Sequence, residues 1–175
     1  MILAAHQPSF LPWISWWRKM FLADKFVLMV HSQFEKNSFL NRCNVKEKWW
    51  TVPVNGKIAP ISEITYANGS SLAQTNINLI RGFMGVFGIT QDKLIYDRPR
   101  ITTGTNTLIQ MCIENGCNEY LTNPEAEEKY LDVGLMEAAG IKVIPLVVSN
   151  DYKISLFEAF EKWGIEGTRK MICRT

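Results

Sequence analysis

Ile2-Leu3-Ala4-Ala5 is a run of four apolar residues stopped by His6-Gln7-Pro8. A short, continuous apolar run closed by a proline has the pattern of a β-strand buried on both faces, as in the middle of a parallel sheet. Pro12 then stands where the first turn of a helix tolerates proline, and Ile14, Trp17 and Phe21 recur at helical spacing up to Ala23-Asp24. Phe26 to Val30 reads as a second buried strand. Strand, loop, helix and strand, joined by a connection long enough for a crossover, make the repeating unit of a parallel α/β sheet.

The alternation continues after a polar stretch from His31 to Asn44. Trp49 to Val54 reads as a strand closed by Asn55-Gly56, and Ile61 to Tyr66 as another. Ser70 or Ser71 caps a helix whose apolar face is Ala73, Ile77, Ile80, Met84 and Phe87, ending at Gly88. Lys93 to Tyr96 is a short strand, and Thr105 caps a helix carrying Leu108, Ile109, Cys112 and Ile113 up to Gly116. Glu119 to Thr122 is a strand, and Glu125 to Glu128 a solvated acidic loop. Asp132 opens a helix to Gly140, Ile141 to Val148 is the most hydrophobic strand, and Leu156, Phe160 and Trp163 mark a last helix before Gly164. The expected fold is α/β: a Rossmann-like three-layer arrangement with a mostly parallel central sheet, an antiparallel addition around residues 46–66, and a single domain over 1–175.

Composition narrows the function classes. Of 175 residues, 47% are hydrophobic and 21% charged, the balance of a globular chain that buries its own core. The net charge of +2 comes from 19 basic and 17 acidic side chains with no block of one sign, which argues against a nucleic-acid partner and against membrane insertion. Four cysteines without a C-x-x-C pair, and only His6 and His31 beside them, give no zinc spacing; no metal and no cofactor is expected. Cys112 lies on an apolar helical stripe and reads as a small buried hydrophobe. Met1 to Ala5 is too short for a signal segment, so the expected location is cytoplasmic. The surplus of aromatic residues leaves room for an interface in a homo-oligomer.

In an open parallel sheet, ligands bind beyond the carboxyl ends of the strands, which directs attention to the first two loops. His6, Gln7 and Trp13 lie in one; Gln33, Lys36, Asn41 and Arg42 lie in the other. An imidazole, carboxamides, an ammonium and a guanidinium suit a small anionic, hydroxyl-rich ligand, with Lys36 and Arg42 on phosphate oxygens and Gln33 and Asn41 on sugar or base edges. The chain carries neither G-x-x-x-x-G-K-[ST] nor G-x-G-x-x-G.

The run His6-Gln7-Pro8-Ser9-Phe10-Leu11-Pro12-Trp13 resembles the opening H-Q-P-x-[FY]-L-P-W signature of WbqC-like proteins. The spacing onward to Lys19, Ala23-Asp24, Phe26-Val27, Gln33-Phe34-Glu35-Lys36, Asn41-Arg42 and Thr51-Val52-Pro53-Val54 is similar to that family's, as are Leu108-Ile109, Tyr120-Leu121, Tyr130-Leu131-Asp132 and Gly140-Ile141. The resemblance runs from about Ile2 to Gly164 and is strongest in the first third.

It implies a part in bacterial surface-polysaccharide (O-antigen) biosynthesis: a transferase acting on a nucleotide- or phosphate-linked amino sugar, with an acyl or aminoacyl unit as the group moved. His6 and Gln7 would be catalytic, and Trp13, Gln33, Lys36, Asn41, Arg42, Tyr130 and Asp132 would bind substrate. Two departures stand out. Val30-His31-Ser32 replaces an acidic pair common before the glutamine, and the chain is short between Val54 and Ala73. A histidine between a buried first strand and a helix is also similar to nucleotidylyl-transferase-like Rossmann enzymes, an analogy of fold alone.

Each of these residues has a plainer reading beside the functional one. His6 could hold its loop, Lys36 and Arg42 could be solvated charges, Asp132 is most simply a helix cap, and His31 is read as local. Trp17 and one of Trp49 and Trp50 are expected in the core. Two other functions remain open: a non-catalytic ligand-binding or assembly protein on the same scaffold, and a phage-type enzyme modifying nucleotides or DNA bases.

Overall fold

The computed structural model describes residues 1–56 and 59–174. In chain order they form β1 (Ile2–His6), α1 (Ile14–Leu22), β2 (Lys25–Leu28), β3 (Arg42–Val45), β4 (Lys48–Thr51), β5 (Val54–Asn55), β6 (Thr65–Tyr66), α2 (Leu72–Phe87), β7 (Leu94–Tyr96), α3 (Gly104–Glu114), β8 (Glu119–Thr122), α4 (Glu125–Lys129), α5 (Val133–Ala138), β9 (Lys142–Pro145) and α6 (Leu156–Ile172).

Five strands make one sheet in the order β7-β2-β1-β8-β9, every pair parallel. β1 is therefore central, as its unbroken apolar run requires. Because side chains alternate across a strand, neighbouring residues of one strand enter different cores. Ala4, Phe26, Leu28 and Leu121 pack under α1, α2 and α6, with Trp17, Met20, Ile80, Met84 and Phe87. Leu3, Ala5, Val27 and Tyr120 pack on the other face against Leu108, Met111 and Cys112 of α3 and Met136 of α5. Helices on both faces of a parallel sheet give the three layers of a Rossmann-like fold.

The addition is larger than residues 46–66. Arg42 to Val45, read from sequence as part of a polar loop, is β3, and it pairs antiparallel with β4. The hairpin turns on Lys46 and Glu47, with φ of 49° and 64°. Such a turn normally announces itself by Asn or Gly, and this one carries neither, so the strand before it was hidden. The expected single strand from Trp49 to Val54 is split, β4 pairing with β3 and β5 with β6. Residues 61–63 form a short 3₁₀ turn instead of the start of a strand. A third core of Phe34, Leu40, Ile61, Ile64, Tyr66 and Leu72 holds this region together.

Trp17 is fully buried, whereas Trp49 and Trp50 are both about half exposed, 45% and 51%, so neither of that pair is a core residue. The reason is that β4 stands outside the main sheet in a two-stranded hairpin; Trp49 lies under Arg42, and Trp50 meets the edge of α6 at Phe157. Other boundaries also move. Glu125 to Lys129 is a helical turn rather than loop, the last strand is confined to Lys142–Pro145, and α3 begins at Gly104, with the Thr105 hydroxyl donating to the Tyr130 carbonyl instead of capping. α6 continues past Gly164, which breaks the helical path at φ 67° and ψ 177°, on to Ile172. Ser71 does cap α2, and Gly88 closes it in the left-handed conformation at φ 70°.

Candidate functional site

β1 hands the chain through α1 to β2 on one side, while β8 borders β1 on the other. The carboxyl ends of β1 and β8 thus flank the point at which successive crossovers diverge, the usual location of a ligand crevice in an open α/β sheet. A recess of about 160 Å³ opens there, lined by His6, Ser9, Pro12, Trp13, Ser15, Trp16, Lys19, Phe39 and Asn123.

His6 ends β1, its imidazole edge-on to Trp16 at 6.1 Å between ring centres, and its Nδ1 lies 3.1 Å from the Gln7 carbonyl oxygen. A carbonyl only accepts, so in the neutral ring Nδ1 carries the proton and Nε2 the free lone pair. Burial, reinforced by the positive charge of Lys19 and opposed by the Gln7 carbonyl, pulls the His6 pKa from 6.5 down to about 4. The ring is neutral at physiological pH.

Lys19 lies on α1 with only 3% of its surface exposed, and its Nζ donates to the Ala5 carbonyl at 3.2 Å. No ion pair among the described residues involves it. Burial brings its pKa from 10.5 down to about 8. Trp13 and Trp16 add two buried indole N–H groups without an acceptor. The wall of the recess therefore carries a cation and, among the described residues, no carboxylate.

The first two loops are tied to each other. Gln7 Nε2 donates to Ser32 Oγ at 3.2 Å and to the Gln33 carbonyl at 3.4 Å, and the Phe10 N–H donates to the Phe39 carbonyl at 2.8 Å. Beneath them Asn76, fully buried on α2, donates through Nδ2 to the carbonyls of Pro8 and Leu40, both at 2.7 Å, and accepts from the Tyr66 hydroxyl at 2.6 Å.

The side chains expected to act together divide between two recesses. His6 and Trp13 line the first. Lys36, Asn41 and Arg42 line a second, of about 670 Å³, with Phe34, Asn37, Thr51, Val54, Asn55 and Gly56. Asn41 is engaged with the backbone, its Nδ2 donating to the Val52 carbonyl at 2.8 Å. Arg42 lies 4.0 Å over the Trp49 ring and donates from Nη2 to the Asn37 carbonyl. Phe39, in the lining of the first recess, packs on Trp13 at 5.3 Å and on Trp49, the ring under Arg42, at 5.5 Å.

Gln7 and Gln33 lie at the loop junction and line neither recess, Gln33 donating from Nε2 to the Ala59 carbonyl at 3.0 Å. Tyr130 and Asp132 stand apart at the α4–α5 junction, where Asp132 Oδ1 caps α5 by accepting from the Leu135 N–H at 3.0 Å. His31 is a loop neighbour of Ser62, Nδ1 to Oγ 3.5 Å.

Lys19 and Asn76 were not singled out in sequence as polar centres. The signal available was a polar residue on an apolar helical stripe: Lys19 follows Trp16 by three and precedes Ala23 by four, while Asn76 follows Ala73 by three and precedes Ile80 by four. Asn123 follows directly on β8 and carried no signal of its own.

Among the described residues, no group of three His, Cys, Asp or Glu could hold a metal ion, and no helix is long and apolar enough to cross a membrane. The parallel sheet, its flanking helices and the polar recess at the β1/β8 divergence define a Rossmann-like α/β protein. The family model described as the WbqC-like protein family matches residues 7–71 and 56–163, and the chain belongs to that family. No curated protein and no solved structure matches it.

Proposed function

We propose that this chain is a cytoplasmic transferase of bacterial surface-polysaccharide (O-antigen) assembly that moves an acyl or aminoacyl unit onto a nucleotide- or phosphate-linked amino sugar. The observation that carries the reading is a neutral histidine in a recess at the divergence of β1 and β8, with a buried ammonium beside it. A neutral imidazole keeps the Nε2 lone pair free to accept a proton at physiological pH, and a pKa of about 4 makes the imidazolium so formed a ready donor to the leaving group. His6 takes the proton from the attacking sugar amine as its nitrogen bonds the donor carbonyl. The same proton then passes from Nε2 to the leaving group as the carbonyl-to-leaving-group bond breaks. Lys19 lies where negative charge on the tetrahedral oxygen would be stabilised by a cation shielded from water.

The first recess is smaller than the roughly 300–1,000 Å³ usual for larger ligands, whereas the second falls within that range. The division suits a substrate whose reacting end enters beside His6 and whose phosphate-bearing end rests on Lys36 and Arg42. Gln7 and Gln33 hold the loop junction in register, and Trp13 flanks the reacting end. Asn41 acts through the backbone it fixes. The glycan setting is supported by membership of the WbqC-like family.

The test is a thermal-shift screen of nucleotide sugars followed by turnover assays on the wild type and His6→Ala. A ligand at 100 times its dissociation constant stabilises the fold by about 2.7 kcal/mol, a readily measured shift. Turnover lost in His6→Ala with binding retained supports the proposal. Binding without turnover in the wild type favours a non-catalytic binding protein, and stabilisation by nucleotides lacking a sugar favours a nucleotide-modifying enzyme; either result rejects the transfer reaction.

A further inference from the structure

Four features of the first recess point the same way and go beyond acid-base chemistry. Lys19 is a buried ammonium with a single carbonyl acceptor and no carboxylate partner among the described residues. An isolated buried charge is costly unless a counter-charge reaches it. Trp13, Trp16 and Trp17 all keep buried N–H groups without an acceptor, and two of these three rings, Trp13 and Trp16, are in the lining. The first turn of α1, which supplies Ser15 and Trp16 to the wall, has no acidic residue and no side-chain cap. The positive end of that helix is left uncompensated. Finally, among the described residues the lining includes no carboxylate.

We propose that this recess is a small-oxyanion site, in which the Lys19 ammonium takes an oxygen of a carboxylate or phosphate group and the Trp13 and Trp16 rings flank it. The volume of about 160 Å³ admits such a group and leaves the remainder of a larger molecule outside, past Phe39. Phosphate and carboxylate share the chemistry that matters here, acceptor oxygens carrying negative charge. The inference deepens the transferase reading by giving this recess the phosphate or carboxylate of the acyl donor, while the sugar's phosphate rests on Lys36 and Arg42, and it rests on that reading only in assigning the anion to a substrate.

The experiment follows the indole N–H resonances of the protein while sodium phosphate or sodium acetate is added at constant ionic strength, with sodium chloride as the control. Saturable shifts at Trp13 and Trp16, absent at Trp163, are expected with phosphate, acetate or both. Which anion saturates distinguishes a tetrahedral from a planar guest. Lys19→Met is expected to weaken that anion at least tenfold, because it removes a charge-assisted bond in a shielded site. Without anion the same variant is expected to unfold at a higher temperature than the wild type, because an unpaired buried charge is gone, so weakened binding cannot be a folding defect.

Shifts that chloride reproduces, indoles that none of the anions move, or an affinity unchanged in Lys19→Met each overturn the proposal. The titration contains no sugar and no acyl donor. It can therefore fail while His6-dependent turnover is observed, or succeed while turnover is absent.

Discussion

Replacing Asn76 by Leu should be among the most damaging single changes available to this chain. Three partners lose their bonds at once: the Pro8 and Leu40 carbonyls, each 2.7 Å from Nδ2, and the Tyr66 hydroxyl, 2.6 Å from Oδ1. Each buried group left without a partner costs about 1–3 kcal/mol. Partial hydration of the carbonyls and the better helix propensity of Leu offset some of this, and a net loss of about 3–5 kcal/mol is expected. For a chain of this size each kcal/mol moves Tm by roughly 2–4 °C, so the variant should melt roughly 6–20 °C below the wild type.

Tyr66→Phe breaks one of the three bonds and should cost about 1–2 kcal/mol. The double variant should then cost less than the sum of the two, because the Tyr66–Asn76 bond is counted in both. Urea unfolding of the four proteins measures all of these quantities. A loss below about 1 kcal/mol for Asn76→Leu, or strict additivity in the double variant, would refute the view that this amide clamps the two loops to α2.

Acid should destabilise the fold through His6. Its pKa is 6.5 as a free side chain and about 4 when folded, so between those pH values the unfolded chain binds the extra proton. Stability is therefore lost as pH falls from 6.5 towards 4, by at most about 3 kcal/mol from this group. In His6→Gln the decline of the urea midpoint between pH 7 and 4.5 should be visibly shallower, and parallel curves for the two proteins would exclude His6 as the source. Ser155→Ala removes a reciprocal cap in which Ser155 Oγ accepts from the Glu158 N–H at 3.3 Å and Glu158 accepts from the Ser155 N–H at 3.0 Å. A cost of about 1–2 kcal/mol is expected, and a Tm within 1 °C of the wild type contradicts it.

The sheet was legible because strands buried on both faces must be apolar at every position, and Ile2 to Ala5 shows this without reference to distant sequence. The helices declared themselves by stripe and cap, as with Ser71 and Gly88 around α2. β3 was not legible, because its hairpin turns on Lys46-Glu47 and its residues are paired only with another small strand. The recess was legible in part. His6 and Trp13 followed from strand-end position, whereas Lys19 contributes through a helix that crosses above the strand, and three-dimensional packing decides which face of that helix meets the cavity. Trp49 and Trp50 show the limit of composition, since large rings are buried only where a second layer exists to cover them.

The place of β1 at the middle of the sheet also shapes how the chain is born. β1 leaves the ribosome long before β8, its neighbour on one flank, whose first residue is Glu119. At typical elongation rates of about 5–20 residues per second, that edge waits on the order of ten seconds for its mate. During this interval the nascent polypeptide presents the unpaired backbone of an apolar ribbon, an invitation to chaperone capture or to pairing with a foreign strand.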